Sequence, residues 1–596
     1  MPQRRCRRNA ATGKVAADDS CSTRADCRHW NRSHRVSSGA AAHRMAPDDG
    51  GQVGTAPKSR LCRAFTAGYT APMNFARAIA TVGGLTLLSR LAGFARDILT
   101  AAVLGAGPVA DAFFVALKLP NLFRRLFAEG AFGVAFVPLF AAELQTRGRS
   151  AAIRFAEEAL TMLLAMLLPF TLAAIVAMPW LMHGLAPGFV DEPAKFALAV
   201  DMARLTFPYL ALISLVALLG GVLNALDRFG PFAAAPIAFN LTLVAALLIA
   251  PRLGLAPGTA MAAAVTLSGV VQVAWMAWAC AKAGVVLRLR PPRMTEGMRR
   301  LFRLIGPGAV GAGVMQINLF LNIVLASLLP SGAVSFLYYA DRLNQMPLGV
   351  IGIAIGTALL PVLARHVAAG DERMARHYLS RALEFSLLLG LPAAVALGVA
   401  GTPIVSVLFQ RGAFGPEEAH ATAMALAAYA VGIPAYVIVK SLNAAFFARH
   451  DTVTPVRVAV IVTVATALLA LLLMPWLGHV GIALSTGLTA WLDVGLLVAA
   501  MRKRGLFDLD GRLKRRAPRI AVAAAGMGAA LLVGERVLAP WLAAPSTAVR
   551  FVALALLVSG GAAAFGALAA LLGGANLGDV KGMLSKKVQP SKEQVG

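Results

Sequence analysis

The sequence predicts an all-α, polytopic membrane protein with about fourteen transmembrane helices. Hydrophobic residues make up 58% of the chain and charged residues 14%, and the mean hydropathy is +0.70. Soluble domains carry about 25% charged residues, so a chain this apolar is typical of a helical bundle embedded in lipid. Apolar stretches of about 20 residues recur along it, without the alternating ten-residue pattern of membrane β-strands.

Fourteen apolar segments follow one another along the chain. They are 75–104, 109–143, 152–184, 197–226, 231–251, 256–282, 300–329, 333–366, 377–409, 418–448, 453–476, 479–501, 518–539 and 548–573. The second, with about 35 residues, would be roughly 50 Å long as a straight helix, whereas the core of a bilayer is about 30 Å thick. Because it contains Pro120 and Gly130, we expect this helix to be bent, with one end in water.

Basic residues are concentrated in every second connection between these segments. The connections after even segments include "LQTRGRSAAIR" and "MRKRGLFDLDGRLKRRAPR", whereas those after odd segments include "GAGPVAD", "LPSGA" and "PWLGH". This alternation follows the positive-inside rule if both termini are cytoplasmic. We therefore assign the net charge of +27 to loops near anionic lipid, and we expect no nucleic-acid partner.

Residues 1–72 differ in composition from the rest of the chain. They are polar, basic and rich in Ser, Gly and Ala, and they lack the apolar core of a signal peptide. We expect a disordered basic extension, or a segment upstream of the authentic start, for which Met73 is a natural position. Four of the five cysteines lie here without a CxxC pair, so we expect neither a disulfide framework nor a metal site.

Two short motifs recur about 220 residues apart. "LNALDRFGPFAAAP" (223–236) is similar to "LNAAFFARHDTVTP" (442–455), and "AFVPLFAAE" (135–143) is similar to "ALLPVLARH" (358–366). The offset spans six segments, so the copies share one orientation and predict two parallel six-helix bundles with a site between them. The predicted order is an N-lobe at 73–283, a basic cytoplasmic linker at 284–299, a C-lobe at 300–503, two extra helices at 504–575 and a cytoplasmic tail at 576–596.

Charged residues lie inside the predicted spans, where each costs at least about 2.5–3.5 kcal/mol unless it faces a cavity or a partner. They are Arg90, Arg96 and Asp97 in the first segment, Asp111, Lys118, Arg124, Arg125 and Glu129 in the second, Asp341 and Arg342 in the eighth, Lys440 in the tenth and Asp493 in the twelfth. For Lys118, Arg125 and Lys440, a snorkelling or paired position is an equally good explanation, and Arg125 and Glu129 are spaced to pair.

Arg90, Arg96, Arg124 and Arg342 come from both halves of the chain, with too few acids to neutralise them, and so predict a cationic cavity. On a straight helix Arg90 and Asp97 share a face, and Arg96 points about 120° away. Either Arg96 has a different neighbour, or the helix bends near Gly93 and both guanidinium groups reach one cavity.

A cationic cavity predicts an anionic substrate. Guanidinium groups bind phosphate bidentately and keep their charge, so the preferred substrate is a phosphorylated amphiphile. The chain has no Walker loop, no HExxH motif and no GxSxG motif in a strand–turn–helix context. We therefore predict a transporter rather than an enzyme, without a cofactor. Its energy would come from an ion gradient, the membrane potential or consumption of the product.

Several motifs resemble those of the MurJ (MviN) lipid II flippases, members of the multidrug/oligosaccharidyl-lipid/polysaccharide (MOP) exporter superfamily. They are "GFARD", "DAFFVA", "LPNLFRRLFAEGAF" and "SFLYYADRLNQMP", and the resemblance extends from Met73 to about residue 575. It implies fourteen helices in two lobes, a V-shaped cationic cavity and a groove for the lipid tail on helices 13 and 14. It also implies translocation of undecaprenyl-pyrophosphate-linked peptidoglycan precursor across the bacterial inner membrane, with cell-wall synthesis proteins as partners.

The resemblance carries the family's cavity arginines onto Arg90, Arg96, Arg124 and Arg342, each inside a matching motif. It marks Ser89, Asp111 and Ser335 as functionally sensitive. We expect further cavity or gate residues around them, namely Gly93, Asp97, Lys118, Asn121, Glu129 and Asp341.

Two departures from the family pattern concern acidic residues. Gln345 stands where some members have Glu. The family's proposed sodium site uses acidic and amide side chains on helices 7 and 11, where this chain has Gln316, Asn318, Asn322, Thr463 and Thr466. We therefore do not expect sodium, and coupling to the membrane potential or to another ion stays open.

Three alternatives to a lipid II flippase differ in how well the charges suit them. An exporter of another polyprenyl-linked oligosaccharide fits the same cavity. An exporter of cationic drugs does not, because four arginines would repel its substrate. A membrane-embedded glycosyltransferase would need carboxylates at the outer face, where only "DEPAK" and "GPEEAH" supply acids, and both are typical of solvated loops.

Overall fold

The computed structural model describes residues 75–124 and 132–574, and in these ranges the chain forms helices joined by short connections. The helices of the first half are α1 (Phe75–Leu104), α2 (Pro108–Phe123), α3 (Gly133–Arg147), α4 (Arg149–Val176), α5 (Met178–Leu185), α6 (Pro193–Thr206), α7 (Tyr209–Ala225), α8 (Gly230–Ile249) and α9 (Pro257–Lys282). The predicted extension at 1–72 and the predicted tail at 576–596 lie outside the described residues.

The second half repeats this order and then adds two helices. Its helices are α10 (Glu296–Ser327), α11 (Ala333–Ala368), α12 (Glu372–Val399), α13 (Gly401–Phe409), α14 (Pro416–Ala430), α15 (Ile433–Phe447), α16 (Val453–Leu477), α17 (His479–Lys503), α18 (Gly511–Leu542) and α19 (Thr547–Leu571). These helices match the fourteen predicted segments in order, so the all-α, polytopic fold class is confirmed.

Four of the predicted segments are broken where the sequence analysis expected one helix. The breaks separate α4 from α5, α6 from α7, α12 from α13 and α14 from α15. Each lies at or just before a proline: Pro179, Pro208, Pro403 and Pro434. Proline has no N–H to donate inside a helix but is tolerated in the first turn, so these prolines mark the positions at which a new helix begins. In the second segment, α2 continues through Pro120, and Gly130 lies outside the described residues.

The internal repeat is visible in the backbone. Helix α4 begins at Arg149 and α12 begins 223 residues later at Glu372. Asp227 and His450, also 223 residues apart, are the two non-glycine residues with positive φ, at 60° and 59°, in the part of the chain that the structure describes. The sequence motif had instead aligned Asn224 with Asn443, an offset of 219. The other motif pair, "AFVPLFAAE" and "ALLPVLARH", has the same offset of 223, so the first pair differs from it by four residues, about one helical turn.

Contacts between connections define the two ends of the bundle. The connections after α7, α9, α11, α15 and α17 lie at one end, where Arg449 pairs with Glu372 and Asp451 with Arg504. We call this the basic end. The connections after α1, α5, α10 and α13 meet at the opposite end, where the backbone N–H of Ala413 donates to the carbonyl of Ala102 at 2.8 Å.

The hydrophobic core has the shape of a V. At the opposite end one cluster joins both repeats and includes Phe114, Phe207, Tyr339 and Phe409. At the basic end the core divides into a cluster within the first repeat and a separate cluster within the second. The helices therefore pack tightly together at the opposite end and leave a space between the repeats toward the basic end.

The apolar surface agrees with a membrane environment. Ten spans among the described residues are long and apolar enough to cross a bilayer. The remaining predicted spans are α1, α2–α3, α10 and α11, and all four line the cavity described below. Helices α18 and α19 pack against each other and against α12 and α13, outside the two repeats.

Candidate functional site

A cavity of about 1060 Å³ fills the space between the arms of the V. Its walls come from α1, α2, α7, α8 and α9 of the first repeat and from α10, α11 and α15 of the second. The lining on α1 runs from Val82 to Asp97, and on α11 from Tyr338 to Gly349. The cavity therefore extends from the middle of the bundle to the basic end, where Phe229 in the connection after α7 also lines it.

The cavity gathers six basic and two acidic side chains, an excess of four positive charges. The basic residues are Arg90, Arg96, Lys118, Arg124, Arg342 and Lys440, and the acidic residues are Asp97 and Asp341. The four arginines singled out from the sequence thus face one space. Ser89, Gly93 and Asn121 also line it.

Asp97 joins the two repeats at the inner wall of the cavity. Its Oδ1 accepts hydrogen bonds from Nη2 of Arg96 at 2.7 Å and from the hydroxyl of Tyr338 at 3.3 Å. Its Oδ2 lies 3.5 Å from Nε of Arg342. The Asp97 side chain is 5% exposed, so a single buried carboxylate holds two guanidinium groups from opposite repeats, which accounts for their close approach.

The Arg96 side chain is fixed by the first repeat. Its Nη1 donates to Oδ1 of Asn240 at 2.9 Å, and Nδ2 of Asn240 donates to the carbonyl of Ser89 at 3.1 Å. Gly93 lies between them, and a methyl group built there would be 3.4 Å from Asn240. Helix α1 continues through Gly93, and a methyl group there would make only an ordinary van der Waals contact with Asn240.

On α1, Asp97 pairs with the adjacent residue and not with the arginine on its own face. Arg90 and Asp97 share a helical face, yet the partner of Asp97 on α1 is the adjacent Arg96. The arginine side chain is long enough to fold back onto the next residue, which an argument from the direction of the Cβ atoms does not capture. Both Arg90 and Arg96 nevertheless line the same cavity.

Tyr338 connects the charges to the aromatic core. Its ring stacks on Phe114 with centroids 3.8 Å apart. The guanidinium of Arg342 lies 4.7 Å from the centroid of the same ring, and its Nη2 donates to the hydroxyl at 2.8 Å. Nζ of Lys118 lies 6.0 Å from that centroid. Tyr338 therefore orients two cations from opposite repeats through cation–π contacts.

Two glycines of α11 make room for cations at the basic side of the cavity. A methyl group built at Gly349 would lie 2.6 Å from Nη1 of Arg90, and one at Gly352 would overlap Nζ of Lys440. This Nζ also lies 3.5 Å from the carbonyl oxygen of Leu348. Arg90 and Lys440 can therefore lie directly against the α11 backbone.

The opposite end is closed by a buried carboxylate that bridges the repeats. Asp111 of α2 is 1% exposed. It accepts hydrogen bonds from the backbone N–H of Gly332 at 2.7 Å and from the N–H and hydroxyl of Ser335 at 2.9 and 2.6 Å. Nζ of Lys195 lies 3.3 Å from it and also donates to Ser331 at 2.7 Å. We call these five residues the closing cluster.

Backbone contacts complete this closure. Gly412 lies so close to the carbonyl of Ala102 that a methyl group built there would overlap it, and the φ angle of Gly412 is +58°. A methyl group at Gly188 would likewise overlap the carbonyl of Ser327. Only glycine fits such contacts, so the two repeats meet backbone to backbone at this end.

The structure separates the sequence-predicted residues into two groups. Ser89, Gly93, Asp97, Lys118, Asn121 and Asp341 lie around the cavity with the four arginines, whereas Asp111 and Ser335 lie in the closing cluster. Glu129 and Arg125 lie outside the described residues. Asp341 accepts a hydrogen bond from Gln345.

Asn240, Tyr338 and Lys195 were not among the functional residues predicted from the sequence. Tyr338 and Tyr339 stand next to Asp341 in the quoted motif, which was a usable signal. Lys195 follows "DEP" in the sequence, a pattern typical of a solvated loop, although in the structure its side chain is only 2% exposed.

The two threonines considered above for sodium have hydrogen-bond partners within the bundle. Oγ1 of Thr466 lies 2.7 Å from Oγ1 of Thr489, and Thr463 donates to the carbonyl of Ala459 at 2.8 Å. No group of three His, Cys, Asp or Glu side chains that could hold a metal ion occurs among the residues described.

Comparisons with known proteins agree with this architecture. The family model described as "Lipid II flippase MurJ" matches residues 100–551. A probable lipid II flippase MurJ from Rhizobium meliloti (strain 1021) is 45% identical over 514 residues, which are 85% of this chain and 96% of the relative.

Solved structures share the fold. A lipid II flippase MurJ in an inward closed conformation matches with a TM-score of 0.69 and 21% identity, over 82% of this chain and 98% of the other. An inward-facing multidrug resistance MATE transporter of the MOP superfamily matches with a TM-score of 0.59 and 17% identity, over 72% and 98%. With the family match across most of its length, the chain belongs to the MurJ family of lipid II flippases.

Proposed function

We propose that this protein is a multi-pass flippase of the bacterial inner membrane that moves lipid II, the undecaprenyl-pyrophosphate-linked peptidoglycan precursor, from the cytoplasmic to the periplasmic leaflet. The observation that carries this proposal is the excess of four positive charges in one cavity between the two repeats. A pyrophosphate is the group that several guanidinium forks bind best, and a cationic drug would be repelled.

The arginines have distinct parts in this proposal. Arg96 and Arg342 are preorganised by Asp97, Asn240 and Tyr338, so they present a fixed pair of guanidinium groups from opposite repeats. Arg90 has no ion pair with a carboxylate in the described ranges and can turn toward an entering anion. Arg124 faces the same space.

Transport would follow alternating access. We propose that the basic end is cytoplasmic, with both chain termini on that side, because basic connections are retained there. The structure then represents a state with the periplasmic end closed by the closing cluster, and substrate enters from the cytoplasm. Opening requires the bonds of Asp111 to Gly332 and Ser335 to break while the repeats rock toward each other at the basic end.

We also propose that the membrane potential supplies the driving force. The cell interior is negative, so moving an anion outward is favoured by about 2.3 kcal/mol per charge for each 100 mV. Each negative charge of the pyrophosphate increases this favourable free energy by the same amount, so the hydrolysis of a bound nucleotide is not needed.

Complementation of a bacterium depleted of its own lipid II flippase tests the proposal. The wild-type chain should restore growth, and it should restore the fraction of lipid II that an enzyme added outside spheroplasts can cleave. Arg342→Gln should lose both activities because one of the paired guanidinium groups is gone.

Arg252→Gln is the matched control, since Arg252 is an exposed arginine in a connection at the opposite end and should act as wild type. Normal growth with Arg342→Gln at wild-type abundance would contradict the proposed role of the cavity. Failure of the wild-type chain itself would contradict the proposed substrate.

A further inference from the structure

Two arginines lie side by side at the opposite end of the bundle, away from the cavity. Arg411 is in the connection between α13 and α14, and Arg550 is in the first turn of α19. Nη2 of Arg411 donates to the carbonyl of Val407 at 2.7 Å, and Nη2 of Arg550 donates to the carbonyl of Ser406 at 2.8 Å. Consecutive carbonyls in the last turn of α13 therefore hold both guanidinium groups.

This anchoring leaves most of the hydrogen-bonding capacity of both side chains unused. A guanidinium carries five N–H donors, and each of these two arginines uses one donor for a hydrogen bond to a backbone carbonyl of α13. Nε of Arg550 is buried without a partner. The guanidinium of Arg411 lies 5.8 Å from the ring centroid of Phe551, within the range of a cation–π contact. The two groups are positioned for a further acceptor.

The positive charge here is not compensated. Neither arginine forms an ion pair with a carboxylate in the portion of the chain that the structure describes. Partial burial and the neighbouring Arg550 lower the pKa of Arg411. In addition, α19 has no acidic residue in its first turn and no side-chain cap at Ser546, so the positive end of its dipole lies at the same place.

The pair lies at the level where lipid headgroups are expected. Trp541, 51% exposed, lies at the end of α18 shortly before α19 begins. Trp476, at the corresponding end of α16, and Trp180, in the first turn of the short helix α5, are also exposed. Exposed tryptophans mark the membrane–water interface. Beside the arginines, Phe551, Val552 and Leu556 present an apolar surface suited to an acyl or isoprenoid chain.

We propose that Arg411 and Arg550 form a binding site for the phosphate headgroup of a lipid in the periplasmic leaflet, separate from the central cavity. The assignment to the periplasmic leaflet rests on the orientation given under the proposed function. A phosphate with two or more oxygens accepts hydrogen bonds from both guanidinium groups and neutralises them, while its hydrocarbon chain lies along α19.

Lipid binding to the purified full-length chain in a neutral detergent tests this site. Native mass spectrometry counts bound molecules of three probes: phosphatidylglycerol, farnesyl pyrophosphate and inorganic pyrophosphate. The variant Arg411→Gln/Arg550→Gln should bind one lipid molecule fewer than the wild type. Its apparent affinity should fall at least about tenfold, the factor for losing one charge-assisted hydrogen bond.

The probes distinguish the sources of the phosphate. Loss with phosphatidylglycerol assigns the site to a bulk phospholipid, and loss restricted to farnesyl pyrophosphate assigns it to an isoprenoid lipid; both outcomes support the proposal. Unchanged binding of both lipids, or a loss seen only with inorganic pyrophosphate, overturns it.

Two controls keep the result interpretable. Arg252→Gln removes an exposed charge at the same end and should leave the number of bound lipids unchanged; an equal loss there would overturn the proposal. If the double variant does not fold, Arg411→Gln alone gives the same readout. Arg342→Gln should leave the number of bound phosphatidylglycerol molecules unchanged, so the site stands or falls independently of the flippase activity.

Discussion

Asp97 of the first repeat and Arg342 of the second meet across the cavity, with Oδ2 of Asp97 3.5 Å from Nε of Arg342. The same carboxylate binds Arg96. The contact thus sets the separation of the two preorganised guanidinium groups and also joins the repeats. When the two repeats rock apart, the distance between Asp97 and Arg342 increases. Because the same carboxylate also positions the guanidinium groups that bind the substrate, substrate binding and the rocking of the repeats are coupled through Asp97.

Removal of this carboxylate should destabilise the protein. Asp97→Asn leaves the buried guanidinium of Arg96 without its anion and removes the carboxylate that holds the partly exposed Arg342, and breaking a buried ion pair costs about 3–5 kcal/mol. Thermal unfolding in detergent, followed by intrinsic fluorescence, should show a clear fall in Tm. Asp201→Asn is the control, because the Asp201–Arg204 pair is exposed and worth only about 0–1 kcal/mol. Equal Tm values for the two variants would contradict the role given to Asp97.

The sequence predicted which residues line the cavity better than it predicted the contacts between their side chains. Arg90, Arg96, Arg124 and Arg342 could be assigned to one space because a charge at membrane depth must face a cavity or a partner. The Lys195–Asp111 pair could not be predicted, since it depends on how the first turn of α6 packs against α2, which lies 84 positions earlier in the chain. Spacing along a helix gives directions of Cβ atoms, and these do not determine where a long side chain ends.

Loss of the closing cluster should open the opposite end. Asp111→Asn weakens the acceptor for Gly332 and Ser335 and leaves Lys195 without its anion. A cysteine at Ser327, which is 2% exposed, reports the change when the native cysteines are replaced. A membrane-impermeant maleimide added from the periplasmic side should label Ser327→Cys several times faster in the Asp111→Asn background.

Ser335→Ala provides a graded comparison for this experiment. It removes the hydroxyl bond to Asp111 but keeps the two backbone bonds, so labelling should rise less than with Asp111→Asn. Labelling that is equally slow in all three backgrounds would show that the closing cluster does not hold this end shut.

A side chain at Gly349 should displace Arg90 without unfolding the protein. In Gly349→Ala the new methyl group would lie 2.6 Å from Nη1 of Arg90, and the flexible end of the arginine can move away. Because alanine is the better helix former by about 1 kcal/mol, Tm should stay equal or rise while complementation falls. Gly356→Ala is the control, as a methyl group there meets nothing within 4 Å. Full complementation by Gly349→Ala would argue against a role for the position of Arg90.

A capping carboxylate at the basic end should make stability depend on pH. Hydrogen bonds from the side chain and backbone N–H of Thr454, and from Arg504, lower the pKa of Asp451. The unfolded chain therefore binds a proton more readily, so the stabilisation is complete above the ordinary Asp value of about 4 and is lost as the pH falls through the lowered pKa of the folded state.

Asp451→Ala should accordingly lower the free energy of unfolding by about 1 kcal/mol at neutral pH, the usual cost of losing a helix cap. This difference from the wild type should become smaller as the pH falls below about 4. Tm measured across this range checks both statements. Asp508 is an exposed carboxylate at the same end, and Asp508→Ala should have the same Tm as the wild type at every pH. A constant gap for Asp451→Ala from neutral to acid pH would mean that its effect comes from packing rather than from the ionised cap.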